Sequence, residues 1–203
     1  MQDAEKPLTD AGPPSGPAPG LYLVATPIGN AADITLRALD LLRGADLVAC
    51  EDTRLTGRLL RRYGIAAKLT PYHEHNAERV RPALLARLRE GARVVLVSDA
   101  GTPLVSDPGY KLVAAAIAEA LPVTAAPGPS AALTALLLSG LPPDRFLFAG
   151  FLPSRSAARR AALREVAAVP ATLIFYESPQ RLPESLADMA ALLGDRPACV
   201  PRE

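Results

Sequence analysis

The run Arg93-Val94-Val95-Leu96-Val97 constrains this chain more than any other stretch. Four consecutive apolar residues, three of them β-branched, leave no face for water, so the strand they form has to be covered on both sides. The segment after it is the opposite in character. Residues 98–109 read SDAGTPLVSDPG, with two Ser-Asp pairs, two glycines and two prolines, and only Leu104 and Val105 to bury. In open α/β sheets, ligands bind beyond the carboxyl ends of the strands. Stiff, permissive backbone at such an end therefore marks either a plain turn or one wall of a binding site.

The rest of the chain repeats the same alternation. Leu21 to Ala25 reads as a first strand, and Asp33 as the cap of a helix bearing Leu36, Leu39 and Leu42 and closed by Gly44. Leu47 to Cys50 is a second strand, Thr53 to Tyr63 a helix ended at Gly64, and Lys68 to Pro71 a third strand. Residues 76 to 90 place Val80, Leu84, Leu85 and Leu88 on one helical face, with Pro82 an obstacle that delays or bends the helix. After the Val94 to Ser98 strand come a helix (Tyr110 to Ala120), a strand (Val123 to Ala126) and a helix (Ser130 to Leu138). Buried strands alternating with helices predict an α/β fold with a parallel sheet covered on both faces.

Leu141-Pro142-Pro143-Asp144 predicts a boundary, because paired prolines stop a helix and stiffen a linker. The expected organisation is a disordered Pro-, Gly- and Ala-rich tail over 1–19, an N-terminal α/β domain over 20–140, and a partial C-terminal α/β domain over 145–203. In the last, Phe146 to Gly150 and Thr172 to Tyr176 read as strands and Ser156 to Ala168 as an Arg-rich helix. Ser178 reads as the cap of a helix with Pro179 first and a Leu182, Leu186, Met189, Leu193 stripe. Ala198 to Val200 reads as a strand just beginning. The 203 residues are 49% hydrophobic with a net charge of +1, as suits a globular chain with a sizeable core. No apolar stretch approaches a membrane span, and the first 20 residues lack the apolar core of a secretory signal. Cys50 and Cys199 stand alone, which disfavours disulfides or a zinc site and points to a cytoplasmic protein.

Three loops stand at predicted strand ends: ATPIGN (25–30), SDAGTPLVSDPG, and APGPSAA (126–132). No P-loop is present and no G-x-G-x-x-G comes after the first strand, so an ATPase or a Rossmann dehydrogenase is disfavoured. Rigid, uncharged backbone suits a ligand read through its amide and hydroxyl edges, such as a nucleoside or an amino-acid-bearing cofactor. Together with ACEDTR (49–54) and FYESPQR (175–181), the order and spacing of these loops resemble the tetrapyrrole methylase superfamily from about Gly20 to the last residue. Within it they resemble the ribosomal RNA small subunit methyltransferase branch, which methylates a cytidine 2′-hydroxyl in 16S rRNA.

The resemblance implies two α/β domains with an S-adenosylmethionine (SAM) cleft between them, the first sheet mostly parallel and the second mixed. It also implies a homodimer. SAM contacts would fall at Pro27 and Ile28, at Asp99, Ala100 and Gly101, at Val105 and Ser106, at Ser130 and Ala131, and at Tyr176. Two departures from the branch stand out. Gln180 occupies a position where the branch usually has His, and the chain ends at Pro201-Arg202-Glu203 before a further Thr-Lys-containing segment, as a truncated protein would.

Transfer to a ribose hydroxyl needs alignment of the reacting atoms and a base or charge for the developing alkoxide. Glu51 or Asp52, next to Arg54 at a strand end, is the expected base or substrate positioner, with Arg54 a partner for phosphate or carboxylate. The alternative is that Asp52 caps the helix and Arg54 pairs with Glu51. His73 and His75 lack a third ligand, so no metal is expected, and a loop or RNA-contact role stays open for them. Glu177 is a further candidate to orient SAM or substrate. Arg155, Arg159, Arg160 and Arg164 are the expected RNA contacts, and Arg58, Arg61 and Arg62 form a second basic cluster. A small-molecule methylase (of a corrin precursor), a methylase of a modified protein residue, and a non-catalytic RNA- or nucleotide-binding module remain as alternatives.

Overall fold

Strands β1 (Gly20–Val24), β2 (Leu47–Cys50), β3 (Leu69–Pro71), β4 (Arg93–Val97) and β5 (Val123–Ala126) form one all-parallel sheet in the order β3-β2-β4-β1-β5. This is the arrangement in the computed structural model of the protein, which describes residues 17–202. Side chains of β4 alternate between faces, as the two-residue period of a strand requires. Val95 and Val97 pack with Leu39, Leu42 and Leu60, from α1 (Leu36–Arg43) and α2 (Thr53–Arg62). Val94 and Leu96 pack on the other side with Leu84, Leu88 and Leu112, from α3 (Ala77–Arg89) and α4 (Tyr110–Ala118). The four apolar side chains of β4, Val94 to Val97, are buried, each worth about 1.5–3 kcal/mol against exposure. The doubly covered sheet expected from the sequence is present, and α5 (Ala131–Leu138) completes this part of the chain.

A second, two-stranded sheet pairs β6 (Phe146–Phe151) with β7 (Thr172–Tyr176) in parallel, with a register shift between Phe148 and Gly150. Of the mixed sheet expected here, this parallel pair is the part found among the described residues. Helices α6 (Ser156–Val166) and α7 (Leu182–Leu193) pack on each other with a charged cluster between them, while Leu182, Met189 and Leu193 of the stripe predicted for α7 are partly buried. Its buried residues are Ser185 and Asp188, while Leu186 is exposed. Asp188 accepts from Arg159 Nε (2.7 Å), Arg160 Nη1 (3.0 Å) and Ser156 Oγ (3.1 Å). Arg159, 3% exposed, also donates to the Ser154 carbonyl at 3.1 Å.

Several boundaries differ from the sequence reading for identifiable reasons. Asp33 ends a short 3-10 turn (Ala31–Asp33), and Thr35 caps α1 by accepting from the Ala38 amide at 3.0 Å. Pro82 sits inside α3, which survives it because Leu84, Leu85 and Leu88 anchor the helix under the sheet. Ser178 does not cap α7. Its carbonyl accepts the Arg181 and Leu182 amides in a turn, and the helix starts at Leu182. Residues 198–200 pair with no strand among the described residues. Residues 1–16 of the predicted tail lie outside the described residues, and its last part is attached to the fold. Tyr22 Oη donates to the Ala18 carbonyl at 2.6 Å, and Pro17 fills the space beside Gly44. Among the described residues, no helix is long and apolar enough to cross a membrane.

The end of the β4 loop is pressed against the strand it leaves. A Cβ on Gly109 (φ 135°) would stand 2.5 Å from Leu104 Cδ2 and 2.7 Å from Leu96 Cδ2. Gly109→Ala is therefore expected to lower the urea midpoint by the equivalent of at least about 2 kcal/mol, from overpacking plus backbone strain. At Gly91 (φ 82°) nothing lies within 4 Å of the added Cβ. Gly91→Ala is expected to cost only the backbone part, about 1–2 kcal/mol.

Candidate active site at the carboxyl edge of the sheet

Because β4, β1 and β5 are neighbours, the three Gly- and Pro-bearing loops at their ends lie side by side. Backbone hydrogen bonds join the first two: Thr26 N donates to Gly101 O at 2.9 Å and Gly101 N to Thr26 O at 3.0 Å. Thr26 Oγ1 donates to the Ser98 carbonyl (3.1 Å), and Ser98 Oγ to the Gly101 carbonyl (2.8 Å), both in buried positions. Thr102 Oγ1 ties the β4 loop to the third by donating to Pro129 O at 2.9 Å. Ser130 caps α5. Between the β1 and β5 loops lies a cavity of ≈ 430 Å³ lined by Ile28, Asp33, Gly128, Pro129 and Thr134.

The β4 loop is strained. Leu104 (φ 73°) and Ser106 (φ 64°) both adopt the left-handed region without being glycine, at a cost of order 1–3 kcal/mol each that packing has to offset. Leu104 is held against the core on the α3/α4 face. Ser106 meets the second sheet, its Oγ 3.2 Å from where a Gly150 Cβ would be. Tyr176, at the end of β7, packs edge-on against Phe148 (4.8 Å) and Phe151 (5.5 Å). Its phenol is raised above its usual range by burial, with the Ala132 amide opposing the rise and the charge of Asp107 adding to it.

On the other side of the β4 loop, the ends of β2 and β3 frame a second cavity of ≈ 520 Å³, with Glu51, Asp52 and Arg54 facing His73, Glu74 and His75, and Asp99 between them. The Asp52 amide donates to Asp99 Oδ1 at 3.0 Å, which couples the two loops. Asp52 caps α2: its Oδ1 accepts from the Arg54 amide at 2.7 Å, and its Oδ2 from Arg54 Nη2 at 2.8 Å. Hydrogen bonds from the Arg54 side chain and backbone hold the Asp52 carboxyl down at about 2. The helix-cap alternative is the one found, except that Arg54 pairs with Asp52 and not with Glu51. The buried Asn76 fixes the histidine turn, accepting from the His73 amide (2.9 Å) and donating to the Pro71 carbonyl (3.0 Å). His73 and His75 rings stand 6.0 Å apart edge-on.

The structure brings Pro27, Ile28, Asp99, Ala100, Gly101, Ser130 and Ala131 to one edge of the sheet, with Val105 and Ser106 further along the β4 loop. It does not bring α6 there as a free basic face. Arg159 is buried and Arg160 shares its carboxylate, so of the four predicted RNA contacts only Arg155 and Arg164 remain exposed and unpaired among the described residues. Glu177 is also committed elsewhere: its oxygens accept from the Ser178 amide (2.8 Å), Arg181 Nη2 (3.2 Å) and Ser185 Oγ (2.5 Å), fastening the start of α7. The residue missed from sequence is Asp107. Half-buried, and close enough to feel the charges of Glu51 and Asp99, its carboxyl is pushed up to about 6, chiefly by burial. Only the repeat of Ser-Asp within one loop hinted at it.

The description Tetrapyrrole (Corrin/Porphyrin) Methylases matches residues 20–203. A protein named Ribosomal RNA small subunit methyltransferase I from Mesorhizobium japonicum is 61% identical over 186 residues, covering 91% of this chain and 63% of the relative. One of the same name from Escherichia coli O157:H7 is 55% identical, covering 86% and 61%. The chain thus spans about three-fifths of the length of these curated relatives. Among solved structures, a diphthine synthase shares the fold with a TM-score of 0.64 at 20% identity, covering 84% of this chain and 70% of its own. A Thermus thermophilus uroporphyrin III C-methyl transferase has a TM-score of 0.56 at 27% identity, covering 87% and 78%.

Because burial and like charge penalise ionised Asp107, the native state keeps a proton that the unfolded chain has already released. Stability then falls as pH rises from the ordinary carboxyl value of about 4 through about 6. Asp107→Asn is expected to raise the melting temperature by about 2–4 °C at pH 7.5, with the difference vanishing near pH 4. Scanning calorimetry at the two pH values checks it, and an equal or lower melting temperature at pH 7.5 contradicts it.

Proposed function

The chain belongs to the tetrapyrrole (corrin/porphyrin) methylases, and from that membership we propose an S-adenosylmethionine-dependent methyltransferase that acts on the 2′-hydroxyl of a cytidine in 16S rRNA of the small ribosomal subunit. The observation that carries this reading is the 61% identity, over 91% of the chain, to a relative named for small-subunit rRNA methylation. The site chemistry supports it. Ala100, Gly128 and Ala131 are exposed at the strand ends with nothing longer than a methyl to screen their amides and carbonyls. Bare, rigid backbone beside Ile28 fits a ligand with nucleoside and amino-acid edges.

Ile28, Asp99, Gly101, Gly128, Ser130 and Ala131 would hold SAM, with Tyr176 closing the site from the second sheet. When bound, SAM supplies a methyl group on a positively charged sulfur, open to in-line attack. The chain's own task is to orient the ribose and receive its proton. Asp52 is unsuited to that, because both of its oxygens are taken and its carboxyl is held near 2. The reading gives proton acceptance to Asp107, whose raised affinity for a proton fits it to that role. Glu51 keeps that affinity high by its charge, and Arg54 stands at the rim, fixed by Asp52, to meet a phosphate.

A second copy of the chain is the proposed partner. Leu137 (78% exposed) and Leu138 (73%) on α5 offer an apolar face for it. A ribosomal substrate goes with a cytoplasmic location.

Calorimetry with SAM is expected to show saturable binding. Ala131→Arg, an exposed position at the start of α5, should weaken it at least about tenfold without lowering the melting temperature. With labelled SAM and isolated small subunits, Asp107→Asn should slow transfer by about 10²–10⁴ while leaving SAM affinity unchanged. Absence of SAM binding, or label recovered on a base instead of a 2′-oxygen, overturns the reading.

A further inference from the structure

Two helices in this chain are rich in arginine, and they differ in what the arginines face. On α6, Asp188 draws in Arg159 and Arg160, and Glu184 lies 3.7 Å from Arg159. On α2, Arg54, Arg58, Arg61 and Arg62 are all exposed, and among the described residues Arg58, Arg61 and Arg62 have no acidic partner. From Thr53 to His73 the chain contains no Asp or Glu, while Lys68 adds a further cation. Within a protein of net charge +1, this is a local excess of positive charge.

The excess is also ordered. At 3.6 residues per turn the four arginines fall within an arc of about 100°, and Arg54 to Arg62 spans about 12 Å of helix axis. The opposite side carries Thr56 and Leu60, buried against the sheet, so the basic side cannot turn inward. Arg54 and Thr53, at the start of α2, line the polar cavity that also holds Asp99. The row of guanidinium groups therefore ends at the place where a methyl acceptor is expected, with the exposed His75 ring on the facing wall.

We propose that the exposed face of α2 is the track on which single-stranded RNA lies, its phosphates on Arg58, Arg61 and Arg62, so that one nucleotide enters the cavity at Arg54. This rests on the rRNA reading above and replaces α6 as the main RNA surface. Guanidinium groups suit successive phosphates of one strand, and an extruded base can stack on a histidine ring.

The test is fluorescence anisotropy of the whole chain with a labelled, unstructured 20-nucleotide RNA, titrated at several KCl concentrations. Replacing Arg58, Arg61 and Arg62 by Gln is expected to weaken binding at least tenfold at low salt. It should also reduce the slope of log K against log salt by about 2, at about 0.7 per phosphate lost. The corresponding triple Lys variant should keep most of the affinity. Arg155→Gln with Arg164→Gln, on α6, should change little. An unchanged slope in the α2 Gln variant, or a larger loss from the α6 pair, overturns the proposal. So does binding to phosphatidylglycerol vesicles that depends on α2 while RNA binding does not. SAM calorimetry on the same variants separates the two levels: SAM binding with an RNA slope indifferent to α2 sinks the track alone, whereas no SAM binding sinks the methyltransferase reading.

Discussion

Thr26 and Gly101 exchange both of their backbone hydrogen bonds just beyond the ends of β1 and β4, and most of the site hangs from that joint. Gly101 can take part because its φ of 78° is open to glycine at little cost. The side chains of Thr26 and Ser98 then satisfy the buried carbonyls around it, each bond worth about 1 kcal/mol and costly to leave unmade. With the two loops locked, Thr102 reaches Pro129 and brings the β5 loop into place. The strain at Leu104 and Ser106 is tolerable only because this frame is already rigid on one side and Gly109 is jammed against Leu96 on the other.

The same joint divides the edge of the sheet in two. The β1 and β5 loops enclose a cavity of small residues and bare backbone, whereas the β2 and β3 ends build a charged one. Asp99 belongs to the charged side, yet it grows from the loop that the joint immobilises, and it holds the Asp52 amide. That single contact relays the position of one cavity to the other. Asp107 lies further along the same loop, where burial and the charges of Glu51 and Asp99 raise its proton affinity, and its own charge reaches Tyr176 at the end of β7.

Much of this is legible in the sequence, and the remainder is hidden for physical reasons. Apolar runs such as Val94 to Val97 announce doubly covered strands, and Gly-Pro loops at their ends announce the binding edge. Strand order is not written in any one segment, and only the order β4-β1-β5 makes three loops neighbours. Charge pairing is the other blind spot. Arg159 looks like a surface cation until Asp188, 29 residues later, is folded against it. Asp52 looks like a base until Arg54 occupies both of its oxygens. Asp107 is the converse case: its burial depends on loops that sequence cannot bring together. Ser178 closes a turn through its carbonyl, which accepts the Arg181 and Leu182 amides, so the helix starts only at Leu182.

The partition at Thr26 and Gly101 has a consequence for how such proteins diversify. The charged cavity is shaped by the ends of β2 and β3, by the start of α2 and by Asp99 of the β4 loop, which the Asp52 amide reaches through its hydrogen bond to the Asp99 carboxylate. The side chains of Glu51, His73, Glu74 and His75 can be exchanged there without removing a hydrogen bond of the Thr26–Gly101 joint. A lineage built on this sheet can hold the backbone of one half of the edge constant while the side chains of the other half vary. The neighbouring structures, named for a diphthine synthase and a uroporphyrin methyltransferase, carry the same fold under different names. Modularity of this kind needs no second domain. It is written into the order of five strands.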